Sequence, residues 1–332
     1  MWNSARFVTV SGIVLVCASG AQALNMEMVS VGNPGNAPDT RYETPGYGGV
    51  DYVYNIGRCE VTAGQYTAFL NAVAGVDTYA LYNTLMSKTD WGSGIVRGGG
   101  GTVGDPYMYA VYPAFVNRPV NYVSWGDSAR FANWLHNGQP TGSQGLSTTE
   151  DGAYYLNGAT TDAQLLAVNR EADWKWAITS EDEWYKAAYY KGGSTNAGYW
   201  DYPTSSDAVP GRDLNDVSGN NVNYYGIPYP IQPPRYTTVV GEFQNSDSPY
   251  GTFDQGGNLW EWNEAELVGS YRGLRGGSFD IKVDYLHASN RVDGDPTHLS
   301  NSIGFRVSEV PGPATIVMLA LGSLGIMRRR RA

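Results

Sequence analysis

Apolar positions recur at helical spacing in only three stretches of this chain. Residues 51–61 form a strand-like run rich in Tyr, Val and Ile. Thr62 then stands as a good cap, and Tyr66, Phe69, Leu70 and Val73 share one helical face, so a helix is predicted to about Ala74 with Gly75 as its stop. A second helix is predicted behind Ser124, with Asp127 at the capping-box position, Trp125, Ser128, Ala129, Ala132 and Leu135 on one face, and Gly138 at its end. The third begins at Ser180, boxed by Glu183, packs Trp184, Ala187 and Ala188 inward, and stops at Gly192 and Gly193. Residues 92–104 are Gly-rich and read as loop. Residues 119–123 are a short extended run. From Lys191 to about Glu242 the chain is dominated by Asn, Gly, Pro and Tyr, and no helix is predicted after Lys191. Two further strand-like runs cover residues 274–279 and 303–307, and no fixed-period repeat is present. The pattern predicts an α+β protein with few helices, short strands and long ordered loops. Such loops need dense side-chain hydrogen bonding or a metal to satisfy their backbone.

The two ends read as addresses. Arg6, the mostly apolar stretch 7–18 and Ala21-Gln22-Ala23 fit a secretory leader, which places the mature start near Leu24. At the other end Pro311-Gly312-Pro313 breaks regular structure, residues 314–327 carry no charge, and Arg328 to Arg331 close the chain. That apolar run is short for a membrane span of ~20 residues, and its arginines would stay on the cytoplasmic side. The layout resembles the PEP-CTERM sorting signal of Gram-negative bacteria, with Gly312 where that signal has Glu. The resemblance implies processing by an exosortase-type protease, transient membrane anchoring through 314–327, and residence in the cell envelope or extracellular matrix. The expected division is a signal peptide (1–23), one domain (24–309) and a sorting or anchor segment (310–332).

Composition narrows the partners. Only 16% of residues are charged while 42% are hydrophobic, which excludes a disordered chain and supplies a sizeable core. The formal net charge of −10 argues against nucleic acid, because phosphate binding needs a basic face. Cys17 lies in the leader, so Cys59 is the one thiol of the mature chain and no intrachain disulfide is expected there.

Six blocks, taken in order, resemble the formylglycine-generating enzyme or sulfatase-modifying factor family. They are Glu60-Val61-Thr62 with Tyr66; Pro119-Val120 through Ser124-Trp125 with Asn133-Trp134-Leu135; residues 180–188; Gly257-Asn258-Leu259-Trp260-Glu261-Trp262; residues 274–278 (Leu-Arg-Gly-Gly-Ser); and Gly304-Phe305-Arg306. Together they span roughly residues 28–308. The resemblance implies a C-type-lectin-like fold with little regular secondary structure. It also implies a structural calcium held by Asp254, Gly257, the Leu259 carbonyl and Glu261. A second family calcium would use Asn223 and Tyr224, but no acid occurs across residues 232–239 to complete it. Trp260, Arg275, Ser278 and His298 are the candidate groove residues.

The family's enzymes oxidise a sulfatase cysteine with copper and oxygen, through a cysteine pair shortly after the Leu-Arg-Gly-Gly-Ser block. Here residues 279–287 contain no cysteine. Cys59 cannot form a pair alone, and His136, His287 and His298 show no metal-ligand spacing. Copper is therefore not expected. The reading is an exported pseudoenzyme: a non-catalytic binding or envelope protein that presents its groove to an extracellular glycan, peptide or matrix component. The alternative is a formylglycine-generating oxidoreductase, or another activity in the same groove.

Overall fold

The computed structural model describes residues 24–267 and 269–310. The expected signal peptide, and the expected sorting segment apart from residue 310, lie outside the described residues. The order of elements is β1 (Met28–Val31), β2 (Tyr54–Gly57), α1 (Ala63–Val73), β3 (Ile95–Gly98), β4 (Met108–Val111), α2 (Trp125–His136), α3 (Asp162–Leu166), β5 (Trp176–Ile178), α4 (Glu181–Tyr189), β6 (Trp260–Leu267), β7 (Tyr271–Arg275), β8 (Val292–Gly294), β9 (Ile303–Phe305) and β10 (Val307–Glu309). This is the α+β architecture that the pattern predicted, with short elements and long connections. Among the described residues no helix is long and apolar enough to cross a membrane.

The three predicted helices form behind the predicted caps. Thr62, Ser124 and Ser180 each accept the N3 backbone N–H, and Gln65, Asp127 and Glu183 return a side-chain bond to the cap. Each reciprocal pair satisfies two otherwise orphaned N–H groups and is worth about 1 kcal/mol. α4 stops before its predicted glycines, because Tyr190 already turns extended (φ −68°, ψ 125°) and bridges Tyr199. The short helix α3, boxed by Thr161 and Gln164, was not predicted. It has too few residues for an apolar periodicity to show.

The strands form three sheets, with orders β1-β2-β10-β5, β3-β4 and β8-β7-β6-β9; β6 and β9 pair in parallel and all the others antiparallel. Part of the predicted loop 92–104 is therefore strand β3, held by backbone pairing with β4 and anchored by the fully buried Ile95. The predicted strand 303–307 breaks at Arg306, so β9 and β10 join different sheets. The run 274–279 leaves the sheet after Arg275, where Gly276 and Gly277 take φ values of +96° and +75°. A Cβ on Gly276 would stand 2.7 Å from the Gln255 carbonyl, so the chain can turn there only with glycine. The turn carries Ser278 and Phe279 out of the sheet.

The main core gathers the inward faces of α1 and α2 against β9. Phe131 packs edge-on against Phe69 and Phe305, with ring centres 5.3 and 5.4 Å apart. The helices thus brace the sheet whose loop ends carry the features described next.

Candidate functional site

A tight turn organises the region. Gly257 adopts φ +78°, and a Cβ there would fall 2.2 Å from the Asn223 carbonyl oxygen. Asn258 follows at φ +58°, a conformation that Asn tolerates better than most residues. Its side chain is a hub: Oδ1 accepts from the Thr238 N–H (3.0 Å) and from Asn223 Nδ2 (3.2 Å), while Nδ2 donates to Glu60 (3.2 Å). Its carbonyl accepts the Phe279 N–H at 2.9 Å. One buried asparagine therefore ties the segments around residues 60, 223 and 238 together through its side chain and that around 279 through its carbonyl.

The acids of the implied calcium set are engaged with protein partners. Glu261 is fully buried, and both of its oxygens are committed: Oε2 accepts from Arg306 Nε (2.5 Å) and Trp184 Nε1 (2.7 Å), and Oε1 from Arg306 Nη2 (2.6 Å). Arg306 also donates to the carbonyls of Gly57 (3.0 Å) and Phe253 (2.9 Å), so the pair locks the point where β9 hands over to β10. Asp254 accepts the Gly241 N–H at 2.6 Å. Among the described residues no three acids, histidines or cysteines are placed to hold a metal. Burial and mutual repulsion raise the carboxyls gathered here. Burial pushes the Asp254 carboxyl up to about 6, Glu261 and Glu242 push the same way, and the Gly241 N–H and Arg306 offset part of the rise. Burial, then Asp254 and Glu261, hold Glu60 well above the usual carboxylate range.

Cys59 opens towards a cavity of about 790 Å³ whose walls include Met26, Glu60, Gln65 and Val240. Burial, then the neighbouring Asp254, push its thiol far up, which is the opposite of what a nucleophile or copper ligand needs.

A second cavity, of about 360 Å³, lies beside Ser278 and is lined by Trp91, Tyr122, Tyr229, Tyr236, Phe279 and Asn301. Asn121, in the predicted extended run, aligns one wall by donating to the carbonyls of Trp91 (2.8 Å) and Asn301 (2.7 Å). Tyr229, Tyr236 and Phe279 form a second aromatic cluster of the lining, with ring centres 5.1 Å apart for Tyr229 and Tyr236 and 5.5 Å for Tyr236 and Phe279. Tyr122 sits at φ +57°, an uncommon backbone state for an aromatic residue, and burial pushes its hydroxyl up to about 12. Burial, then the nearby Asp280, raise the Tyr229 hydroxyl further.

The predicted groove residues do not gather in this cavity. Ser278 is buried beside it, with its hydroxyl donating to Asp280 Oδ1 at 2.5 Å. Arg275 is fully buried and structural: it pairs with Glu181 (2.6 Å), donates to the carbonyls of Ala288 and Asn290 (3.1 and 2.8 Å), and stacks 4.4 Å from the Tyr47 ring. Trp260 is buried on β6, edge-on to Tyr285 at 6.0 Å. His298 stands exposed in a turn closed by its own N–H to the Asp295 carbonyl (2.8 Å).

A family model described as the sulfatase-modifying factor enzyme 1-like domain matches residues 23–310. The chain belongs to this family. Two solved structures share the fold. Treponema denticola variable protein 1 is 20% identical, with a TM-score of 0.52 over 86% of this chain and 95% of that one. CarF is 18% identical, with a TM-score of 0.50 over 87% of this chain and 99% of that one. No curated protein matches significantly.

Within this sulfatase-modifying-factor domain, sequence reasoning named as groove residues none of the six that line this cavity; Ser278 directly precedes one of them, Phe279. Trp91 and Asn301 lie in segments without periodicity. The available signal was the run of Tyr225, Tyr229 and Tyr236 in a stretch otherwise built for turns, since large aromatics there have no helix or strand face to bury.

Proposed function

We propose that this sulfatase-modifying-factor domain is an exported recognition protein whose groove binds a ligand and does not oxidise one. The observation that carries the reading is the composition of residues 279–287, which hold no thiol where the family's enzymes carry a cysteine pair. The surroundings of Cys59 support it, because a thiol pushed up by burial is a poor metal ligand, and Cys59 lines a different cavity from the Ser278 groove. The leader-like and PEP-CTERM-like ends support export to the envelope or matrix, with an exosortase-type protease as the processing partner.

The test of catalysis is incubation of the purified chain with copper, oxygen and a Cys-Thr-Pro-Ser-Arg peptide, followed by mass spectrometry. An unchanged peptide is expected, and aldehyde formation would overturn the reading. For export, fractionation of the native host should find the protein outside the cytoplasm and shortened at its N-terminus. A full-length cytoplasmic product would refute that part.

A further inference from the structure

Packed tyrosines of this protein commonly bond their hydroxyls to the protein itself. Tyr66 donates to the Leu81 carbonyl (2.8 Å), Tyr109 to Ala74 (2.9 Å), Tyr185 to Asp39 (2.7 Å) and Tyr189 to Leu286 (3.1 Å). The cavity beside Ser278 is different. Tyr122, Tyr229 and Tyr236 line it together with Trp91, yet among the described residues none of the three hydroxyls and not the Trp91 indole N–H has a protein hydrogen-bond partner. None of these atoms is a sealed, orphaned polar group, so each keeps contact with solvent at residues that line the cavity. The groove thus combines aromatic faces with free hydroxyl and indole edges. Aromatic residues with a polar tip are the side chains that serve a ligand apolar on one side and polar on the other.

Charge and size narrow that ligand. No Lys or Arg lines the cavity, and two acids stand near it: Asp90, whose carbonyl accepts the Tyr236 N–H at 3.1 Å, and Asp280, bonded to Ser278. With a chain net charge of −10, an anionic ligand is disfavoured. About 360 Å³ falls within the ~300–1,000 Å³ range of small-molecule sites. A quaternary ammonium ion would use the ring faces but none of the free hydroxyls. An extended peptide would need a register of backbone partners, and Asn301 is the one lining side chain that carries an amide. A sugar ring uses both features, with its C–H face on the aromatics and its hydroxyl edge on Tyr122, Tyr229, Tyr236, Trp91 and Asn301.

We propose that the groove beside Ser278 binds a neutral pyranose sugar on the aromatic lining of Trp91, Tyr122, Tyr229, Tyr236 and Phe279. The assignment rests on the recognition reading above and names the ligand class for that groove. It is tested by titration calorimetry of the full chain against cellohexaose, chitohexaose and mannohexaose, with tetramethylammonium chloride and the Cys-Thr-Pro-Ser-Arg peptide in parallel. Saturable one-site binding of at least one oligosaccharide is expected. Trp91→Ala and Tyr229→Ala should each weaken it about tenfold or more, as truncation of a buried aromatic anchor does. Trp91→Phe and Tyr229→Phe, which keep the ring, should weaken it about two- to fivefold, with an unchanged melting temperature showing that they fold. Three results would overturn the assignment: no binding of any of the three sugars, sugar binding indifferent to all four variants, or binding of the cation or the peptide alone. If the cation or the peptide binds and Trp91→Phe weakens it, the recognition reading survives without the sugar. Aldehyde formation on the peptide would instead defeat the recognition reading itself.

Discussion

Replacing Asp254 by asparagine should stabilise the protein at neutral pH. The backbone there has φ +59°, where Asn is at least as comfortable as Asp, and the amide oxygen can keep the bond from the Gly241 N–H. What the substitution removes is a carboxylate among like charges. The Asp254 carboxyl is raised from 3.8 to about 6, first by burial and then, against the pull of Gly241 and Arg306, by Glu261 and Glu242. Because the folded value lies above the unfolded one, the folded protein holds this proton more tightly. The contribution is most favourable below about pH 4, fades as pH rises through about 6, and becomes a full penalty above that. A difference of about two pKa units corresponds to a ceiling of ~3 kcal/mol. The residue keeps some contact with solvent, which screens the repulsion, so ~1–2 kcal/mol is expected. Glu60 and Cys59 face the same charge, and both should titrate lower in the variant. Urea unfolding at about pH 7 and pH 3.5 measures the effect. Asp254→Asn should be more stable than the parent at the higher pH, with the difference shrinking to near zero at the lower one. The opposite result, with the parent stabilised by calcium and the variant losing both stability and the calcium response, would refute the reasoning and restore a cation at this turn.

Arg306→Ala should cost ~3–5 kcal/mol in denaturant unfolding, since it leaves Glu261 buried without its partner at the junction of β9 and β10. Gly257→Ala should cost well over ~1 kcal/mol and lower the melting temperature, because a side chain there is both at positive φ and 2.2 Å from the Asn223 carbonyl oxygen. The Cys59 thiol should react slowly with a disulfide reagent at about pH 8 in the folded protein and readily after unfolding in urea. Equal rates would contradict the burial that raises it.

Local chemistry was legible along the chain. Thr62, Ser124 and Ser180 cap their helices through bonds that close within a single turn, so the residues needed to see them are adjacent in sequence. The same holds for the Gly276-Gly277 turn in kind, although not for its consequence, because whether residues 274–279 stay in the sheet depends on how close Gln255 approaches. The ordered family blocks carried the fold for a related reason: Gly257, Asn258, Glu261 and Arg306 are the residues that clamp the long loops. What tertiary structure alone decided was which charges and rings meet. Glu261 looked available for a cation because its partner, Arg306, lies 45 residues further on. Arg275 looked like a groove residue until burial placed it against Glu181 and Tyr47. The aromatic groove draws on segments near residues 91, 122, 229, 236, 279 and 301, none of which has a periodicity to mark it. Hydrogen bonds within a turn are written in neighbouring residues, whereas a cavity is set by the distances between segments that only the packed chain brings together.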